Sequence, residues 1–180
     1  GSENMVRAMH FAEHLGARVY FPHVSCAAGF EEARRFRRRY DRVLVETCPH
    51  YLTHDWDCDM GSLGKANPPL RSPEDVEATW AALADGTIDT IGSDHVPRRR
   101  ANKEKNIWQA SQGFPGAATI LPVLLSEGYH KRGLSLQRIA QVCGSRPAEI
   151  FAIDKRKGFI APGHDADLTI VDLELEREVH

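Results

Sequence analysis

Residues 43–50 read Val43-Leu44-Val45-Glu46-Thr47-Cys48-Pro49-His50. A short apolar, β-branched run meets a proline and stops, which is how a buried strand ends. Two other stretches have the same build. Residues 18–23 read Arg-Val-Tyr-Phe-Pro-His, and residues 87–94 read Thr-Ile-Asp-Thr-Ile-Gly-Ser-Asp. Each run is followed at once by a side chain that can bind a metal: His23, His50 or Asp94.

Each interval between these runs is long enough for a return helix. Residues 3–15 place Met5, Ala8, Met9, Ala12 and Leu15 at helical spacing, and Gly16 stops them. Residues 29–39 form a charged helix with Phe30, Ala33 and Phe36 on one side. Ser72-Pro73-Glu74-Asp75 opens a third, with Ser72 as N-cap and Pro73 at the first position; it runs to about Leu83 and ends at Asp85-Gly86. Strand, rim loop and helix in repetition imply parallel strands with right-handed crossovers. The three ligand-type residues then share the C-terminal rim, where (β/α)₈ barrels keep their chemistry. The expected fold is α/β: the C-terminal half of a TIM-type barrel, about strands 5–8, over residues 1–155. Residues 64–70 are a candidate further strand. More helices are expected near 117–131, 135–143 and 146–151. From residue 156 to 180 the pattern changes to turn-rich and alternating stretches, 157–163 and 166–172, read as strands of a small β-sandwich.

The chain has 180 residues, enough for one domain with a core but fewer than the roughly 250 of a complete barrel. Apolar residues make up 42% and charged ones 27%, with a net charge of −2, so neither a nucleic-acid partner nor an acidic membrane surface is indicated. No apolar run approaches the roughly 18–20 residues that span a bilayer. The polar opening Gly-Ser-Glu-Asn-Met-Val lacks the pattern of a secretory leader. Cys26, Cys48, Cys58 and Cys143 form no CxxC pair, which suits a reducing, cytoplasmic setting.

Two imidazoles and a carboxylate on one rim point to a hydrolytic metal site. A lone strand-end histidine is more often structural, so the inference rests on the group. Asp94 has two possible roles, holding the metal and moving protons; capping the next turn is the structural alternative. Cys48 is either a thiol ligand or a small buried residue, and burial is favoured. His95 suits a structural role as well as any other. His10, His14, His54, His130, His164 and His180 carry no pattern and are read as surface residues. Lys65-Ala66-Asn67-Pro68-Pro69-Leu70-Arg71 fixes an extended backbone at the rim; the Asn67 amide can meet a substrate amide, or the segment is simply a proline-stiffened loop. Gly113-Phe114-Pro115-Gly116 lets backbone approach a ligand closely. Arg34, Arg35, Arg37, Arg38 and Arg39 read as a solvated helix face. Arg98-Arg99-Arg100 is either a surface loop or an attractor for an anionic substrate.

The set His23-Val24-Ser25, Glu46-Thr47-Cys48-Pro49-His50-Tyr51, Asn67-Pro68-Pro69-Leu70-Arg71, Asp85-Gly86-Thr87-Ile88-Asp89, Ser93-Asp94-His95 and Ala161-Pro162-Gly163-His164-Asp165-Ala166-Asp167-Leu168 resembles the cyclic amidohydrolases: hydantoinase and dihydropyrimidinase, allantoinase and dihydroorotase. The resemblance runs through nearly the whole chain in order. It implies a barrel with a small β-sandwich that opens cyclic amides using two metal ions, usually zinc. By it, His23 and His50 match two histidines on one metal, and Asp94 matches the aspartate that binds the other and carries the proton. Asn67, Gly113, Phe114 and Pro115 match the substrate-contact region.

The family's His-x-His pair and bridging lysine are not found here, and Lys65 falls in the wrong place for the latter. The expectation is therefore a C-terminal piece of a longer enzyme, holding one metal at best and inactive alone. Its partners are a small cyclic amide and either further copies of itself, as a homo-oligomer, or the missing N-terminal half. The alternative is a non-catalytic scaffold that kept the barrel and lost its metals; the retained trio argues against it.

Overall fold

The computed structural model describes residues 1–176 of the 180. Three parallel strands, β1 (Val19–Phe21), β2 (Val43–Thr47) and β3 (Thr90–Ile91), form a sheet in the order β1-β2-β3. Val19 lies opposite Val43 and Phe21 opposite Val45; Glu46 lies opposite Thr90 and Thr47 opposite Ile91. The expected strand–helix rhythm is present, with three strands among the described residues. Residues 64–70 are not a fourth. They follow a single 3₁₀ turn, Gly61–Gly64, and contain a cis Asn67–Pro68 bond, and two successive prolines leave the backbone few donors for a ladder.

Helix α1 (Ser2–Leu15) buries Met5, Met9 and Ala12, and Gly16 closes it in a left-handed conformation. Helix α2 (Ala27–Arg37) buries Phe30, Ala33 and Phe36. A short α3 (His50–Thr53) follows β2 directly. Helix α4 (Pro73–Ala84) starts as its sequence predicts: Ser72 Oγ accepts the Asp75 N–H at 3.2 Å, and Pro73 and two acids occupy the first turn. After a short α5 (Arg100–Lys103) come α6 (Ile120–Val123), which widens into a π-helical stretch to His130, α7 (Leu136–Ala140), which widens likewise to Ser145, and α8 (Arg146–Ile150). Met9, Phe30, Val43, Val45, Leu83, Ile88, Leu124 and Val142 share one continuous core between sheet and helices.

The arginines of α2 are not a uniform solvated face. Arg37 donates to the carboxylate of Asp89 and to the carbonyls of Val43 and Thr87, while Arg34 reaches Asp85 and Thr87. Asp89 is buried and also accepts from Arg146 at 2.9 and 3.0 Å and from the Val45 N–H at 2.8 Å. A buried carboxylate needs such partners. They bind α2, β2, β3 and α8 together at the end of the sheet away from the rim.

The strands expected at 157–163 and 166–172 are not formed among the described residues. Ile160 is 91% exposed and Ile170 97% exposed. Alternating sequence favours a strand only where a neighbouring strand can complete the ladder, and the sheet described here offers none to this segment. Residues 177–180, part of that expectation, lie outside the described residues.

Candidate metal centre

The parallel sheet brings its three C-terminal ends to one rim. β2 passes through Cys48 and Pro49 into α3, whose first residue is His50. Beyond β1 and β3, His23 and Asp94 adopt φ of 45° and 42°, in the left-handed region that non-glycine residues avoid. Such conformations are retained where the surroundings impose them, and they cluster at functional sites.

Cys48, His50 and Asp94 each present a potential ligand atom, and these atoms lie within 4.8 Å of one another. A closed tetrahedral zinc set has ligand atoms roughly 3.5 Å apart, so a cation would draw the three slightly inward. Two of the three residues expected at the site, His50 and Asp94, are thus together. His23 is not in this tight group, but it is close enough for its charge to be felt by His50. Cys48 is fully buried, as expected, yet it also joins the group. Its spacing of two from His50 was the available signal.

His50 is 4% exposed, and both ring nitrogens are buried without a hydrogen-bond partner among the described residues. Burial, reinforced by His54, His23 and Lys103, lowers its pKa to about 4, so the ring is neutral and its lone pair available. The Cys48 thiol is pushed far up by burial and then by Glu46 and Asp94. A divalent cation would reverse that balance and favour the thiolate. An unpartnered buried imidazole, a thiol and a carboxylate form a donor set that fits zinc.

Of the predicted substrate-contact residues, Phe114 meets this cluster directly, through His50. Tyr51 Oη donates to the Pro68 carbonyl at 2.6 Å and ties the Asn67–Arg71 segment to α3; Asn67 itself is exposed. Gly113 has φ of 110°, and its N–H donates to the Lys65 carbonyl at 3.0 Å. Phe114 stacks on His50 with centroids 5.1 Å apart, and Pro115 is exposed beside it. A Cβ on Gly116 would lie 2.2 Å from the carbonyl oxygen of Ser93, so only glycine lets this loop pass the chain next to Asp94.

His95 is exposed, and its Nδ1 accepts the Ala117 N–H at 3.1 Å, a structural role. His54 and His164 are not plain surface residues. His54 is half-buried 5.8 Å from Phe114, and His164 is half-buried with a ring nitrogen 3.0 Å from the Asp154 carbonyl oxygen. Arg98 and Arg99 are exposed, and Arg100 pairs with Glu104 on the surface.

The chain matches the amidohydrolase family over residues 4–179 and belongs to it. It is 40% identical over 176 residues to the dihydroorotase of Halobacterium salinarum, covering 97% of this chain and 40% of that protein. It is 37% identical over 171 residues to the allantoinase of Salmonella gallinarum, covering 94% of this chain and 38% of the relative. Among solved structures, the L-hydantoinase of Arthrobacter aurescens superposes with a TM-score of 0.93 at 35% identity, over 99% of this chain and 41% of its own. The dihydropyrimidinase of Brevibacillus agri gives 0.85 at 30% identity, over 92% and 38%. The chain therefore spans about two fifths of the length of these relatives. Among the described residues, no helix is long and apolar enough to cross a membrane.

Proposed function

We propose that this chain carries part of the active site of a metal-dependent hydrolase that opens the C–N bond of a cyclic amide, such as a hydantoin, dihydropyrimidine, allantoin or dihydroorotate. The observation that carries the reading is the convergence of His50, Asp94 and Cys48 at one rim, with both His50 ring nitrogens unpartnered. His23, strained at the end of the neighbouring strand, completes the donor set we assign.

A divalent metal bound there, zinc by the chemistry of the donors, would polarise the scissile carbonyl and lower the pKa of water. The chain's own residues divide the rest. His50, neutral and buried, offers a ring nitrogen as ligand. Asp94 holds cation and proton in turn: a carboxylate beside the reacting centre takes a proton during attack and returns it to the leaving nitrogen. We assign Asn67, Gly113, Phe114 and Pro115 to contact with the planar ring amide, with Phe114 packed on His50.

Residues 1–155 form the barrel part, and residues 156–180 supply strands to a small sheet when partner strands are present. The chain works in a homo-oligomer or with a further polypeptide segment, and alone it binds one metal weakly.

The test is metal analysis and a hydrolysis assay of the protein at its native length on hydantoin, dihydrouracil, allantoin and dihydroorotate. Stoichiometric zinc and turnover of one ring support the reading. No bound metal together with no turnover on any of the four overturns it.

A further inference from the structure

His50 poses a problem of orientation. A metal-binding histidine usually donates its second ring nitrogen to a carboxylate or carbonyl, and that bond fixes the ring. Among the described residues, neither nitrogen of His50 has such a partner. What borders the ring is aromatic: Tyr51 at 4.2 Å and the stacked Phe114 at 5.1 Å, with an interplanar angle of 24°. Whatever seats Phe114 therefore helps to set the imidazole.

Phe114 lies in a loop, and loops drift unless they are tied. The tie is Lys103, the last residue of α5. It is only 8% exposed. Its Nζ donates to the Gly113 carbonyl at 2.6 Å, approaches the Lys65 carbonyl at 3.5 Å, and lies 4.7 Å from the centroid of the Phe114 ring. The Gly113 N–H donates to the same Lys65 carbonyl. Three rim segments thus meet at one ammonium. Among the described residues no carboxylate lies within ion-pair distance of it. A surface lysine could stay in water at no cost. A buried one held only by carbonyls and a ring face is retained for what it holds.

We propose that Lys103 is a positioning residue for the rim site: it fixes the Gly113–Phe114 backbone and ring, and through the stack it sets the angle of the His50 imidazole. The catalytic consequence rests on the hydrolase reading above; the positioning itself does not.

The experiment compares wild type with Lys103→Met, Lys103→Arg and Phe114→Leu. The His50 ring protons are followed by long-range ¹H–¹⁵N correlation, and stability by thermal melting. Stacking on Phe114 shifts these protons upfield, so Phe114→Leu gives the unstacked reference. Lys103→Met is expected to move the His50 signals toward that reference, and Lys103→Arg to keep them near wild type. At native length, kcat for Lys103→Met is expected to fall about 10- to 100-fold, with KM little changed.

Should Lys103→Met fail to fold, Lys103→Leu replaces it, since it likewise removes both the donor for the Gly113 carbonyl and the charge over Phe114. His50 signals that stay at wild-type positions in the folded Met or Leu variant overturn the proposal. Absence of turnover in the wild type would sink the hydrolase reading and leave the spectroscopic result to decide on Lys103.

Discussion

His50 shows how one side chain can report a site. An imidazole that is nearly fully buried and has no hydrogen-bond partner among the described residues is costly unless a ligand completes it. Its protonation makes that cost measurable. The folded pKa of about 4 lies below the ordinary 6.5, so the native state binds fewer protons than the unfolded chain between those values. Stability is therefore fully present above pH 6.5 and is lost as pH falls toward 4. The gap corresponds to about 3 kcal/mol. Urea midpoints of metal-stripped protein should fall across that window, and His50→Gln should flatten the slope; an unchanged slope would refute the assignment. On the proposed function, Asp94 bears on activity. Asp94→Asn keeps the shape but cannot accept a proton, and kcat at native length should drop about 10²- to 10⁴-fold. Equal rates for the two proteins would remove Asp94 from the chemistry.

Among elements, the decisive joint is the buried Asp89 between Arg37 and Arg146. Removing one partner of such a group leaves charge uncompensated, so Asp89→Ala should cost about 3–5 kcal/mol in urea denaturation. A loss below about 1 kcal/mol would show the network to be ornamental. The loop at Gly116 sets a second expectation: Gly116→Val forces a side chain against the Ser93 carbonyl, and the 113–116 segment should become sensitive to limited proteolysis at unchanged secondary structure. A wild-type digestion pattern would show that the loop tolerates the bulk. The strand–helix rhythm was legible in the sequence because its signals are local: Ser72-Pro73 as a helix start, Gly16 as a stop, Val43–Val45 as a buried run. The pairing of His50 with Asp94 was legible too, since parallel strands put their ends on one rim. Less legible were the contacts between segments remote in sequence. Nothing near Lys103 announces that its ammonium will meet residue 113, and the basic run 34–39 does not reveal that Arg37 will find Asp89. The alternation of 166–172 suggested a strand, but residues 166–172 form none in the structure.

Across the C-terminal part of the molecule, Phe151, Ile153, Ile160, Leu168, Ile170 and Leu175 are each exposed to water. Exposed apolar patches and unpaired strand edges drive association. The chain by itself should form concentration-dependent oligomers in size exclusion with light scattering, and a stable monomer at all concentrations would contradict this. The anchor at Asp89 and the donor at Asp94 belong to the same strand region but to its opposite ends, roughly 16 Å apart at the rise of an extended chain. Substitutions that far apart usually combine additively. On the proposed hydrolase reading, heat tolerance and turnover are therefore separately evolvable: a library recombining changes around Asp89 with changes around Asp94 should rarely have to trade one property against the other.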